Sequence, residues 1–205
     1  MTTIRAIFWD VGGVLLSNAW DQPERDSALA KFGLDRAELS SRHDMLVSSF
    51  ERGKITLDEY LERTIFYQAR SFTPQAFKEY MFSLSQPHPE VLQIAQALKQ
   101  SCRYRMATVN NESRELNQFR IKSFALDRVF DFFISSCFVG LRKPEDGIYR
   151  LALDLTQVPA DECCFVDDRP LNLEAAARFG MHAIRMQSSA QLKGELEKLG
   201  VEAVW

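Results

Sequence analysis

The 205-residue sequence predicts an α/β protein, a doubly wound parallel sheet interrupted near its start by an α-helical insert. Three observations predict it. Short apolar runs that stop in polar or small residues recur at Ile4–Trp9, Tyr104–Val109, Asp131–Ser135, Cys163–Val166 and His182–Met186. Segments of helical spacing lie between them, and strands alternating with helices build parallel βαβ units in a layered sheet. The stretch from Ser17 to Gln86 breaks this rhythm, with helical patterns and no strand pattern.

Taken in order, Ile4–Trp9 is the first strand and meets Asp10. The insert follows, with helical stretches at Glu24–Phe32, Arg36–Glu51, Leu57–Ala69 and Pro74–Leu84. A connection this long inside a compact α/β domain is usually functional. Pro89–Gln100 places Val91, Leu92, Ile94, Ala95 and Leu98 on one stripe. Asn111–Phe124 opens on a candidate Asn cap with Glu112 beside it. Ile148–Leu155 follows a Pro-Glu-Asp-Gly turn, and Leu171–Phe179 stops at Gly180, a common C-cap residue. The predicted division is a core of residues 1–16 and 87–205 and a helical insert of 17–86. No repeat or low-complexity tract appears.

A hydrophobic fraction of 46% and a charged fraction of 26% are ordinary for a globular chain. The net charge of -3 comes from intermixed signs, unlike the basic footprint of a nucleic-acid binder. The N-terminal apolar run is too short for a secretory signal, and no stretch reaches the ~18 apolar residues that span a bilayer. Cys102, Cys137, Cys163 and Cys164 lack metal-ligand spacing and are expected as buried reduced thiols. The expectation is a cytoplasmic protein, monomer or homodimer, acting on a small molecule, with neither nucleic acid nor membrane as partner.

Ligands of open parallel sheets bind outside the carboxyl ends of the strands. The first strand ends in Asp10-Val11-Gly12-Gly13-Val14, the second in Thr108-Val109-Asn110-Asn111. The fourth ends in Asp167-Asp168-Arg169, and a loop before it holds Arg142-Lys143-Pro144. Three carboxylates, a hydroxyl and an ammonium thus converge on one edge. Carboxylates hold a hard cation such as Mg²⁺, glycines admit close backbone approach to an anion, and Thr108 and Lys143 supply donors. A metal, an anion site and a carboxylate nucleophile describe phosphoryl transfer through an aspartyl-phosphate. Each signal also has a plain reading alone: Asp10 as a turn residue, Lys143-Pro144 as a surface loop, Asp167-Asp168 as a helix cap.

The sequence resembles the haloacid dehalogenase-like hydrolase superfamily over nearly its whole length. IFWDVGGVL, ATVNN, LRKPEDGIYRLAL and FVDDRPLNLEAAARFGMHAI resemble that family's four motifs in order, and the insert resembles its helical cap. The branches most similar are the sugar-1-phosphate phosphatases and the N-terminal part of epoxide hydrolases. The resemblance implies a magnesium-dependent phosphatase of a small phosphorylated metabolite. Asp10 would be nucleophile and metal ligand, with Asp168, Asp167 and the Gly12 carbonyl completing the metal set. Thr108, Asn110 and Lys143 would bind the phosphoryl group, Thr108 and Lys143 also in catalysis.

One position departs from the pattern. The family's acid–base Asp, two residues after the nucleophile, is here Gly12, which keeps a carbonyl but has no proton to give. General acid–base help is worth about 10²–10⁴ in rate. An anomeric leaving oxygen would suffer least, which favours a sugar 1-phosphate; the alternative is a binding or regulatory protein on the same fold. Asp21 is a candidate substitute acid. His43 lies in the insert and could face substrate, whereas His88 and His182 read as linker and packing residues. The insert's aromatics mostly have the spacing of a packed interior.

Overall fold

The computed structural model describes residues 3–203; the first and last two residues of the expected core lie outside that range. In chain order the elements are β1 (Ala6–Trp9), α1 (Gln22–Phe32), α2 (Arg36–Glu51), α3 (Leu57–Thr64), α4 (Pro74–Ser83), α5 (Pro89–Gln100), β2 (Arg105–Asn110) and α6 (Arg114–Ser123). They continue with β3 (Phe132–Ser135), the single turn α7 (Ser136–Val139), α8 (Asp146–Thr156), β4 (Cys163–Asp167), α9 (Pro170–Arg178), β5 (His182–Arg185) and α10 (Ser189–Lys198).

The five strands form one parallel sheet in the order β3-β2-β1-β4-β5. The chain steps outward from β1 to β3, then crosses to β4 on the other side of β1. The winding therefore reverses between β1 and β4, the place where an open α/β sheet leaves a crevice at its carboxyl edge.

Alternation along the strands builds two separate layers. Ile7, Trp9, Met106, Cys164 and Val166 pack with Val91, Ile94, Leu98, Leu192 and Leu196 of α5 and α10. Ala6, Phe8, Ala107, Val109, Cys163 and Phe165 pack with Ile148, Tyr149, Ala152, Leu173 and Ala176 of α8 and α9. Neighbours point to opposite faces of a pleated strand, so Cys163 and Cys164 serve different layers. All four cysteines are free, and Cys102, expected to be buried, is instead exposed on the turn between α5 and β2.

The insert has its own interior, where Phe50, Tyr60, Leu61, Phe77 and Met81 meet Trp20 and Leu29. Local signals set its helices. Asp35 accepts from Glu38 N at 2.8 Å to start α2, Thr56 and Glu59 form a reciprocal capping box on α3, and Thr73 caps α4 ahead of Pro74. The periodicity carried α3 to Ala69, but the helix stops at Thr64. The Arg70 side chain turns back there and donates to the Ile65 carbonyl. Leu116 of α6 belongs to the insert's apolar cluster, and Phe119 stacks on Phe82 at 4.8 Å between ring centres. These contacts seat the insert on the sheet domain.

The two segments that connect insert and sheet run side by side. Ser17 N donates to Gln86 O and Ser17 Oγ to Leu84 O, each at 2.8 Å, and His88 N donates to Leu15 O at 2.9 Å. His88, expected as a linker residue, also bonds the Val14 carbonyl through Nδ1.

Candidate active site

Asp10 leaves the carboxyl end of β1 beside the crossover to β4 and opens into a cavity of about 410 Å³ between sheet and insert. Its Oδ1 accepts from Val11 N at 2.7 Å and lies 2.9 Å from Lys143 Nζ. Lys143 Nζ also donates to Asp167 Oδ2 at 2.6 Å. Asp167 is fully engaged: Asn172 Nδ2 donates to both its oxygens at 3.0 Å, and Arg169 N donates to Oδ1 at 2.8 Å. Asp168 is different, because its Oδ1 is enclosed and has no hydrogen-bond partner.

Carboxylate oxygens of Asp10, Asp167 and Asp168 lie within 4.8 Å of one another. Three buried or half-buried carboxylates thus face one ammonium. Burial pushes the Asp10 carboxyl up to about 7; Lys143 opposes that rise and Asp167 adds to it. Burial and Asp167 raise Asp168 as well. Burial alone would lower Lys143, but Asp10 and Asp167 outweigh it and hold the ammonium charged. The excess of negative charge, the unpartnered oxygen of Asp168 and the hard oxygen donors all fit a divalent cation such as Mg²⁺.

Gly13 explains how the group closes up. Its φ is +73°, and a Cβ there would come within 2.5 Å of Asp168 Oδ2. The sequence reading assigned the glycines to close approach by an anion; at Gly13 the anion is the protein's own carboxylate. Gly12 is another case. A Cβ at Gly12 would meet Asn18 Oδ1 at 3.0 Å, with Arg120 Nη1 at 3.8 Å, so a side chain there would have to displace the Asn18 amide.

The structure brings together Asp10, Gly12, Lys143, Asp167 and Asp168; of these Asp10, Gly12 and Lys143 line the cavity, and Asp167, Asp168, Thr108 and Asn110 are not part of its lining. Thr108 pairs in register with Trp9, one residue short of Asp10, and so shares the sheet face of Trp9. Its hydroxyl is enclosed without a partner. Asn110 stands at the strand end but accepts from Ser135 Oγ and donates to Asn117 Oδ1. The next residue, Asn111, lines the cavity. Expected as a helix cap, Asn111 accepts from Lys143 N and donates to Lys143 O, both at 2.9 Å, while α6 begins three residues later. Asn111 and Asn172 are the residues sequence reasoning missed. Asn111 directly follows β2, and Asn172 sits in the first turn of α9, five residues after Asp167, where its amide reaches back to that carboxylate.

Insert and sheet domain also meet through charge at the cavity rim. Arg169 pairs with Asp21 and Arg142 with Glu51, each at 2.6 Å. Deeper in, Arg120 pairs with Glu112 at 2.8 Å in a buried bridge. Asp21, a candidate acid in the sequence, is held by Arg169 at the rim.

A sequence model of haloacid dehalogenase-like hydrolases matches residues 4–180. The chain belongs to that family. Flavin mononucleotide hydrolase 1, chloroplastic, of Arabidopsis thaliana is 28% identical over 196 residues, covering 92% of this chain and 78% of that one. Mouse bifunctional epoxide hydrolase 2 is 28% identical, covering 96% of this chain but only 39% of its own. The fold matches the HAD family enzyme BT-2542 of Bacteroides thetaiotaomicron, solved with magnesium and inorganic phosphate, at a TM-score of 0.77 and 19% identity, covering 90% of this chain and 94% of that one. Among the described residues no helix is long and apolar enough to cross a membrane.

Proposed function

We propose that this chain is a magnesium-dependent phosphohydrolase of a small phosphorylated metabolite, with residues 17–86 acting as a cap over the site. The observation that carries the reading is the Asp10 cluster: a carboxylate at the cavity floor, an ammonium 2.9 Å away, and a neighbouring carboxylate with an unpartnered oxygen. The plant relative named for flavin mononucleotide hydrolysis supports the same class of chemistry.

In this reading Asp10 attacks phosphorus through Oδ2, because Oδ1 is held by Val11 N and Lys143. The P–O bond to the alcohol breaks, and water then cleaves the aspartyl-phosphate to regenerate Asp10. Lys143, anchored through its backbone by Asn111, balances charge on the phosphoryl oxygens. A magnesium ion held by Asp10, Asp168 and the Gly12 carbonyl, with Asp167 buttressing Lys143, would supply the remaining positive charge. The cap encloses the cavity and limits bulk water.

Gly12 offers no proton to the departing alcohol, and Asn18 fills the adjoining space with an amide. Alcohols that leave readily are therefore favoured, and a sugar phosphate with an anomeric leaving oxygen fits best. The test is phosphate release across a panel of phosphorylated metabolites, with Asp10→Asn and a chelator in parallel. Release that needs both magnesium and Asp10 is expected. Silence across the panel from folded, magnesium-loaded protein would sink the enzyme and leave a binding role on a hydrolase fold.

A further inference from the structure

His43 lies on α2 in the cavity wall, 6% exposed, with its Nδ1 2.8 Å from Tyr60 Oη. Tyr60 Oη also accepts from Trp20 Nε1 at 2.9 Å. An indole nitrogen can only donate, which fixes the direction of that bond. The phenol proton then has one acceptor at hand, His43 Nδ1. The opposite arrangement, with Nδ1 protonated, would leave the buried phenol O–H with nothing to bond. The chain Trp20→Tyr60→His43 therefore places the imidazole proton on Nε2.

Two features hold that state. Phe50 stacks on Tyr60 at 4.1 Å and 6°, locking the phenol ring. Burial, with Arg25 of α1 and Arg142 of the core loop nearby, pushes His43 down to about 4 against the opposing pull of Asp44 and Asp21. Burial also pushes the Tyr60 phenol up to about 12, so it keeps the proton it donates. Among the described residues His43 Nε2 has no hydrogen-bond partner, while the ionic groups of the same wall are largely paired with one another. Arg142, Arg169 and Arg120 are matched by Glu51, Asp21 and Glu112, and Arg25 bonds Trp20 O and Gln22 Oε1.

We propose that His43 is the cap's specificity-determining donor, its Nε2–H reading an oxygen on a hydroxyl-bearing alcohol portion of the substrate. The proposal rests on the phosphohydrolase reading of the Asp10 cavity and adds which end of the ligand the cap reads. Arg142, Arg169 and Arg120 are neutralised by carboxylates, whereas Arg25 is held by neutral oxygens alone, and Trp20 and Phe50 line the same cavity.

The test compares p-nitrophenyl phosphate, which has no hydroxyl for His43 to meet, with the hexose phosphate turned over best. His43→Phe should lower kcat/KM for the hexose phosphate by roughly 10–100-fold, the worth of one buried hydrogen bond, and leave p-nitrophenyl phosphate within about twofold. His43→Gln, which keeps a donor, should recover part of the loss. Nitrogen NMR of the unmodified protein should show His43 neutral and protonated on Nε2. Equal losses on both substrates, cleavage of p-nitrophenyl phosphate but no hydroxyl-bearing ester, or an Nδ1–H tautomer would overturn the proposal. Absence of any Asp10-dependent cleavage of p-nitrophenyl phosphate would overturn the phosphohydrolase reading itself, and this assignment with it.

Discussion

Replacing Arg120 by Met tests how charge is balanced beneath the cavity. Arg120 on α6 reaches Glu112 at 2.8 Å, with side-chain exposures of 2% and 10%, and also donates to the Ser17 carbonyl where the insert begins. The intact pair is worth little net, because taking both charges out of water costs about what their attraction returns. Removing one partner is another matter. Glu112 would stay buried, bonded only to Ser113 N, and stability should fall by about 3–5 kcal/mol. For a chain of this size that is a drop in Tm of roughly 6–20 °C.

The pH dependence gives the prediction its sign. Burial already raises the Glu112 carboxyl above its ordinary value of 4.5, with Arg120 opposing, and the Arg120→Met change removes that opposition. A carboxyl raised in the folded state supports stability while protonated and loses that support as pH rises through its folded pKa. The deficit of Arg120→Met relative to the unmodified protein should therefore be largest above neutrality and shrink as pH falls toward about 5. The double change Arg120→Met with Glu112→Leu should recover most of the loss. Urea unfolding at several pH values measures all three. A deficit under about 1 kcal/mol, or one unchanged with pH, would refute the account of a lone buried charge.

Asn111→Ala removes both hydrogen bonds that fix the Lys143 backbone, and should cut kcat/KM by about 10–100-fold with little change in Tm, measured in the phosphate-release assay. Asn172→Ala removes one hydrogen bond from each Asp167 oxygen, leaving Arg169 N and Lys143 to hold the carboxylate; magnesium affinity by calorimetry should weaken by about 10-fold or more, as supporting groups around a metal typically show. Gly13→Ala combines a left-handed backbone with a 2.5 Å collision on Asp168, so magnesium binding should be largely lost and stability should fall by about 1–3 kcal/mol. Retention of full magnesium affinity by Gly13→Ala would show that Asp168 is not placed by that close approach.

The strands were legible because each is an apolar run with a polar stop, and both sheet faces are buried. Asp10 and Asp167-Asp168 followed directly, since each ends a run. The register that pairs Thr108 with Trp9, one residue short of Asp10, was not legible in ATVNN alone. Register is a property of two strands together, and one strand read alone does not contain it. The roles of Asn111 and Asn172 depend on loops that converge only in three dimensions. Tyr60 and Trp20 are 40 residues apart, so their bond to each other and to His43 is invisible to helical spacing, which shows only that all three sit on insert segments. The short helix α10 was also unread, having only Leu192 and Leu196 buried on an otherwise polar segment.

The side-by-side connection at Ser17 and Gln86 makes the insert a detachable module. Its two ends are already joined by hydrogen bonds, so the sheet domain meets it as it would a long hairpin loop. Excising it leaves ends that a short turn can bridge, and a graft in its place needs adjacent ends and an apolar face to cover Leu116 and Phe119. Loop-closure entropy grows slowly with length, so the size of such a graft is nearly free. In the proposed reading, the Asp10 floor can thus be inherited unchanged while its roof is exchanged, giving one reaction centre new substrates without relearning its chemistry.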